Sequence, residues 1–80
     1  MLRYMSTNKS GLKYYFSDKN FIGNMYKRHE MTVIKQSGLY KIFKCHNAYI
    51  LPYDYCVYGV YYIVTTDFNA LLKWFNEYCL

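Results

Sequence analysis

The chain has 80 residues, a formal net charge of +5, a hydrophobic fraction of 54% and an aromatic fraction of 22%, with twelve tyrosines. That length allows one domain with one modest core. The hydrophobic fraction excludes a disordered chain, and the tyrosines, which favour pleated and half-buried surfaces, exclude a plain Ala/Leu/Glu helical bundle.

No run of about eighteen apolar residues is present to form a membrane-spanning helix. Residues 1–10 lack the apolar stretch of a signal peptide. Three cysteines, Cys45, Cys56 and Cys79, make an odd and sparse set that reads as reduced, buried thiols. A cytoplasmic protein is the expectation.

In chain order, residues 1–11 are polar apart from Leu2, Tyr4 and Met5, and Ser6–Gly11 reads as a loop, so a flexible N-terminus is expected. Leu12–Ser17 alternates, with Leu12, Tyr14 and Phe16 on one face of a strand. Ser17–Asn20 is a turn signal. Residues 21–30 set Phe21, Ile22, Met25 and Tyr26 at helical spacing but interrupt them with Gly23-Asn24, and are read as irregular or as a second short strand. Met31–Gln36 and Leu39–Cys45 form a hairpin about Ser37-Gly38, with Lys35 opposite Tyr40, Val33 opposite Ile42 and Met31 opposite Lys44.

His46-Asn47 turns the chain into a short strand, Ala48–Leu51, which Pro52 ends. After a turn at Tyr53-Asp54, Tyr55–Thr65 reads as a long central strand in which Gly59 marks a bulge or a split into two strands. The last element is the plainest. Asp67, or alternatively Thr66, caps a helix whose Phe68, Leu71, Leu72, Phe75 and Cys79 form one apolar stripe, with Trp74 and Tyr78 at its margin. The expected fold is a single α+β domain over residues 1–80: a mainly antiparallel sheet of about four strands with one C-terminal amphipathic helix packed on it.

The sequence gives little support to catalysis. Cys45-His46 and His29-Glu30 are chain neighbours, which point to opposite faces of a strand and so do not make nucleophile–base pairs unless the chain turns between them. There is no Cys-x-x-Cys pair for zinc, no glycine-rich phosphate loop, and no paired carboxylates among five scattered acids. No enzyme activity, no cofactor and no metal site are expected.

Charge is distributed unevenly. Residues 1–44 carry a net +7 and residues 45–80 a net −2, which makes a polyanion or an acidic protein face the natural partner. Basic and aromatic residues interleave at Lys13-Tyr14-Tyr15, Tyr26-Lys27-Arg28-His29 and Tyr40-Lys41 with Lys44. Tyrosine and arginine suit protein interfaces, and tyrosine with lysine suits single-stranded nucleic acid. The expected partner-binding residues are therefore Lys13, Tyr15, Tyr26, Lys27, Arg28, Lys41 and Lys44.

One compact α+β domain rich in Lys, Asn, Tyr and Ile, with no enzyme signature, resembles the small phage-encoded anti-CRISPR proteins in general character. The resemblance rests on no motif and assigns no residue. It implies a non-enzymatic protein that inhibits a host nucleic-acid-handling defence complex in the host cytoplasm by binding a larger protein or ribonucleoprotein. Many such inhibitors are acidic mimics of DNA, and this basic chain departs from that pattern. Direct binding of single-stranded RNA or DNA is the second expectation. Self-association through sheet edges, for example as a homodimer, is the third.

Overall fold

Closely spaced strand-forming runs pair across their turns, and here successive hairpins assemble one sheet. A computed structural model describes residues 2–28 and 31–78; the side chains of Ile22, Tyr26 and Lys27 lie outside the description. The described elements are β1 (Arg3–Thr7), β2 (Lys13–Ser17), α1 (Phe21–Lys27), β3 (Thr32–Ser37), β4 (Tyr40–Cys45), β5 (Ala48–Cys56), β6 (Gly59–Thr65) and α2 (Phe68–Tyr78). The six strands follow the order β1-β2-β6-β5-β4-β3, with every neighbouring pair antiparallel.

The α+β class and the C-terminal helix stand as expected, but the sheet has six strands and not about four. β1 forms where a loose N-terminus was expected. All five of its residues are exposed on the sheet edge, and its register slips between Tyr4 and Ser6, so no in–out alternation marks it in the sequence. β5 runs through Pro52 to Cys56. Proline is tolerated there because the β4 ladder reaches only from Ala48 to Ile50, which leaves β6 as the neighbour at Pro52, and a bulge follows between Pro52 and Asp54. The run Tyr55–Thr65 is then split by a turn at Val57-Tyr58, with Cys56 paired to Gly59.

α1 replaces the expected irregular stretch. The Asp18 Oδ1 accepts the Asn20 N–H at 2.9 Å, and the Asn20 carbonyl accepts the Asn24 N–H at 2.9 Å, which starts the helix. Phe21 and Met25, one turn apart, pack on the core beneath. That burial outweighs the roughly 1 kcal/mol cost of Gly23 inside a helix.

The β3–β4 hairpin also corrects the expected register. Ser37 pairs with Tyr40, so the two-residue loop is Gly38-Leu39, and Lys35 lies opposite Ile42. Gly38 has φ 58° while Leu39 has no positive φ, a pattern that favours glycine at the first loop position. At the β4–β5 turn His46 takes the corresponding position with φ 55°, the only described non-glycine residue with positive φ.

The sheet is covered on both faces. On one, α2 lays Leu71 and Phe75 against Leu12, Ile42, Leu51 and Ile63, with Tyr14, Tyr40, Tyr49 and Tyr53 packed around them. Burying Leu71 and Phe75 stabilises the fold by about 1.5–3 kcal/mol each. On the other face, Met31, Phe43, Cys45, Ile50, Val60 and Tyr62 form a second core with Phe21 and Met25 of α1. Asp67 caps α2 as expected: its Oδ1 accepts the Ala70 N–H at 3.1 Å and its carbonyl accepts the Leu71 N–H at 3.2 Å. Cys79 of the expected stripe lies outside the described residues.

Antiparallel pairing sends alternate connections to opposite ends of the sheet. The β1–β2 loop, the His46-Asn47 turn, the entry into β3 and the start of α2 share one end, the His46 end. The Gly38-Leu39 and Val57-Tyr58 turns, the start of α1 and the finish of α2 share the other, the Tyr58 end.

Candidate binding surfaces at the two ends of the sheet

Strand alternation decides where each expected binding residue goes. In β4, Ile42 belongs to the α2-side core and Phe43 to the α1-side core, so Lys41 lies on the α1 face and Lys44 on the α2 face. Lys13 and Tyr15 pair with Val64 and Tyr62, which places them on the α1 face as well. They sit on β2, and β6 and β5 separate them from Lys41 on β4, a gap of about 14 Å at ordinary strand spacing. Tyr26 and Lys27 fall in the last turn of α1, with their side chains outside the description, and Arg28 follows, exposed. The seven residues thus form no patch on a single face.

Much of the interleaved tyrosine is packing. Tyr14 and Tyr40 turn into the α2-side core. A chain of ring contacts links Phe16–Tyr61 at 4.9 Å, Tyr14–Tyr53 at 5.1 Å, Tyr53–Trp74 at 6.2 Å and Trp74–Tyr78 at 5.1 Å, within the range where tilted and edge-on aromatic pairs attract. Burial pushes the Tyr62 hydroxyl up to about 12, with Tyr55 and Asp18 adding to it. Burial, then Tyr14, Asp54 and Tyr61, raise Tyr53 as well. Both phenols stay neutral at physiological pH and serve the fold.

What the fold does gather is charge at one end and apolar surface at the other. Among the described residues, the exposed cations Lys9, Lys13, Arg28 and Lys44 belong to the His46 end, against one acid, Asp67, whose carboxylate is engaged in capping α2. Glu30 lies outside the described residues. The Lys44 ammonium sits 5.9 Å over the Tyr49 ring. The Tyr58 end carries Arg3, Lys19 and Lys41 against Asp18, Asp54 and Glu77.

The His46 end also holds a cleft of about 360 Å³ lined by Lys13, Tyr15, Ala48, Val64, Thr65 and Thr66, and the Tyr15 ring meets the Tyr4 ring edge-on at 5.7 Å. The β1–β2 loop beside it is rigidly tied. The Asn8 Oδ1 accepts the Ser10 and Leu12 N–H groups at 2.9 and 3.0 Å, and the Asn8 amide donates to the Tyr14 hydroxyl at 3.1 Å.

The Tyr58 end exposes Leu39 (93%), Val57 (80%) and Tyr58 (84%), the three most exposed large hydrophobic residues described, with Tyr55 and Tyr78 beside them. Sequence reasoning missed this surface. Val57 and Tyr58 are strand formers and read as strand interior, and only Gly59 behind them signals the turn. Both edge strands carry a bulge, at Tyr4/Ser6 in β1 and Val33/Lys35 in β3, and Lys35 turns inward with its ammonium 5.7 Å from the Phe75 ring centre. These devices blunt a sheet edge against pairing with another chain.

Among the described residues no three His, Cys, Asp or Glu side chains converge on a metal-sized site. No described helix is long and apolar enough to cross a membrane. No protein-family model, curated protein or solved structure matches the chain.

Proposed function

We propose that the chain is a non-enzymatic protein-binding module that docks its Tyr58 end on a larger protein. In kind it fits the small inhibitors that phages and mobile elements direct at a host's nucleic-acid-handling defence complex. The observation that supports this is that Leu39, Tyr55, Val57, Tyr58 and Tyr78, all exposed and each more so than the exposed apolar residues of the edge strands, lie at one end of the sheet. Exposed apolar surface is costly in water and, when contiguous, marks interaction sites. Tyrosine in particular carries binding energy at such sites. The near balance of charge at this end favours an apolar groove on the partner over a strongly charged face.

The immobilised chain and its Val57→Ser/Tyr58→Ser variant, compared against lysate of a candidate host, test the proposal. Both positions lie on an exposed turn, so the variant keeps the fold. A discrete host protein retained by the wild type and lost by the variant is the expected outcome. Retention of nothing above background, or retention indifferent to the two substitutions, contradicts it.

A further inference from the structure

The cations at the opposite end face no described acid except the engaged Asp67. Lys9 comes from the β1–β2 loop, Lys13 from the start of β2, Arg28 from the exit of α1 and Lys44 from β4. Four cations from separate elements, on both faces of one end of the sheet, give that end a positive field that a polyanion complements. The first turn of α2 does not take part, because the Ala70 N–H is held by Asp67. The lysines therefore define the site. Lys13 lines the cleft at this end together with Tyr15, Thr65 and Thr66. An aromatic wall beside cations is what a single strand offers bases and phosphates to, whereas a duplex keeps its bases stacked inside.

We propose that the His46 end binds single-stranded nucleic acid, the strand crossing that end from Lys13 on one face to Lys44 on the other, with Lys9 and Arg28 adding phosphate contacts and Tyr15 beside a base. This site is separate from the apolar docking end, so either can fail without the other.

Fluorescence anisotropy with labelled twelve-nucleotide oligo(dT) and oligo(U), titrated with the full chain across salt concentrations, tests it. Neutralising about four phosphates on a single strand gives a log–log salt slope near −2.8, so affinity falls about 50-fold between roughly 50 and 200 mM salt. Lys13→Gln/Lys44→Gln cuts that fall to about 7-fold, since about two phosphate contacts remain. Thr66→Asp puts a negative charge into the cleft and weakens binding while leaving the lysines in place. Arg3→Gln/Lys19→Gln, with the same loss of charge at the opposite end, keeps the wild-type slope. A blunt duplex of equal length binds more weakly than the single strands. The proposal is overturned by absent or salt-independent binding of both strands. It is equally overturned if the control pair weakens binding as much as Lys13→Gln/Lys44→Gln, or if the duplex binds as tightly as the single strands.

Discussion

Gly59 opens β6 beside the end of β2, and a Cβ there would fall against the Ser17 carbonyl oxygen and lie 2.6 Å from the Phe16 Cζ. The obstacle is backbone on one side, so the chain cannot yield cheaply. Gly59→Ala is expected to cost about 3 kcal/mol, which lowers the melting midpoint by more than about 10 °C for a domain of this size; a calorimetric scan checks it. Tyr62 gives a pH signature. Its hydroxyl is raised to about 12 from an unfolded value near 10. The folded chain therefore holds this proton where the unfolded chain has lost it. The associated stability is complete below about pH 10 and is lost as pH rises towards 12. Urea unfolding from pH 9 to 12 is expected to show a steeper alkaline decline in the wild type than in Tyr62→Phe. At this scale the sequence was partly legible. Val60, Tyr62 and Val64 do share a face, as period-two alternation predicts. Gly59 read only as a bulge or break, because close approach of another strand leaves no mark in the local sequence.

Elements were legible where one face is apolar and the end signals are unambiguous. α2 is the clearest case: the stripe Leu71–Phe75 and the Asp67 cap are both realised. Asp67→Ala removes the acceptor for the Ala70 N–H and is expected to cost about 1 kcal/mol, a midpoint loss of roughly 4–8 °C, measurable by circular dichroism. α1 was hidden by Gly23-Asn24, whose local preference is overridden by packing of Phe21 and Met25 on the sheet. The β3–β4 loop lies one residue later than expected, which moves the partner of Lys35 from Tyr40 to Ile42, because glycine fits either loop position of the mirror-image turns and only the observed φ values separate them. β1 was invisible because an exposed, bulged edge strand has no apolar face to display.

At the scale of the whole molecule, the sequence shows charge sorted into halves of the chain, whereas the fold sorts it by ends. An antiparallel meander sends neighbouring connections to opposite ends, so Lys13 and Lys19, six residues apart in sequence, finish at opposite ends of the sheet. Lys13 and Lys44, on different strands and different faces, finish at the same one. No reading of local patterns yields that, because it follows from the number and direction of strands. The central claim is that the His46 end meets nucleic acid while the Tyr58 end is reserved for protein. It is tested most directly by following the backbone amides of the ¹⁵N-labelled chain by NMR during titration with oligo(dT). The predicted result is that shifts concentrate at residues 9–13, Arg28, 44–48 and 65–66, and leave Gly38-Leu39 and Val57-Tyr58 unmoved. Shifts centred on the Val57-Tyr58 turn, or spread evenly over both ends, would contradict it.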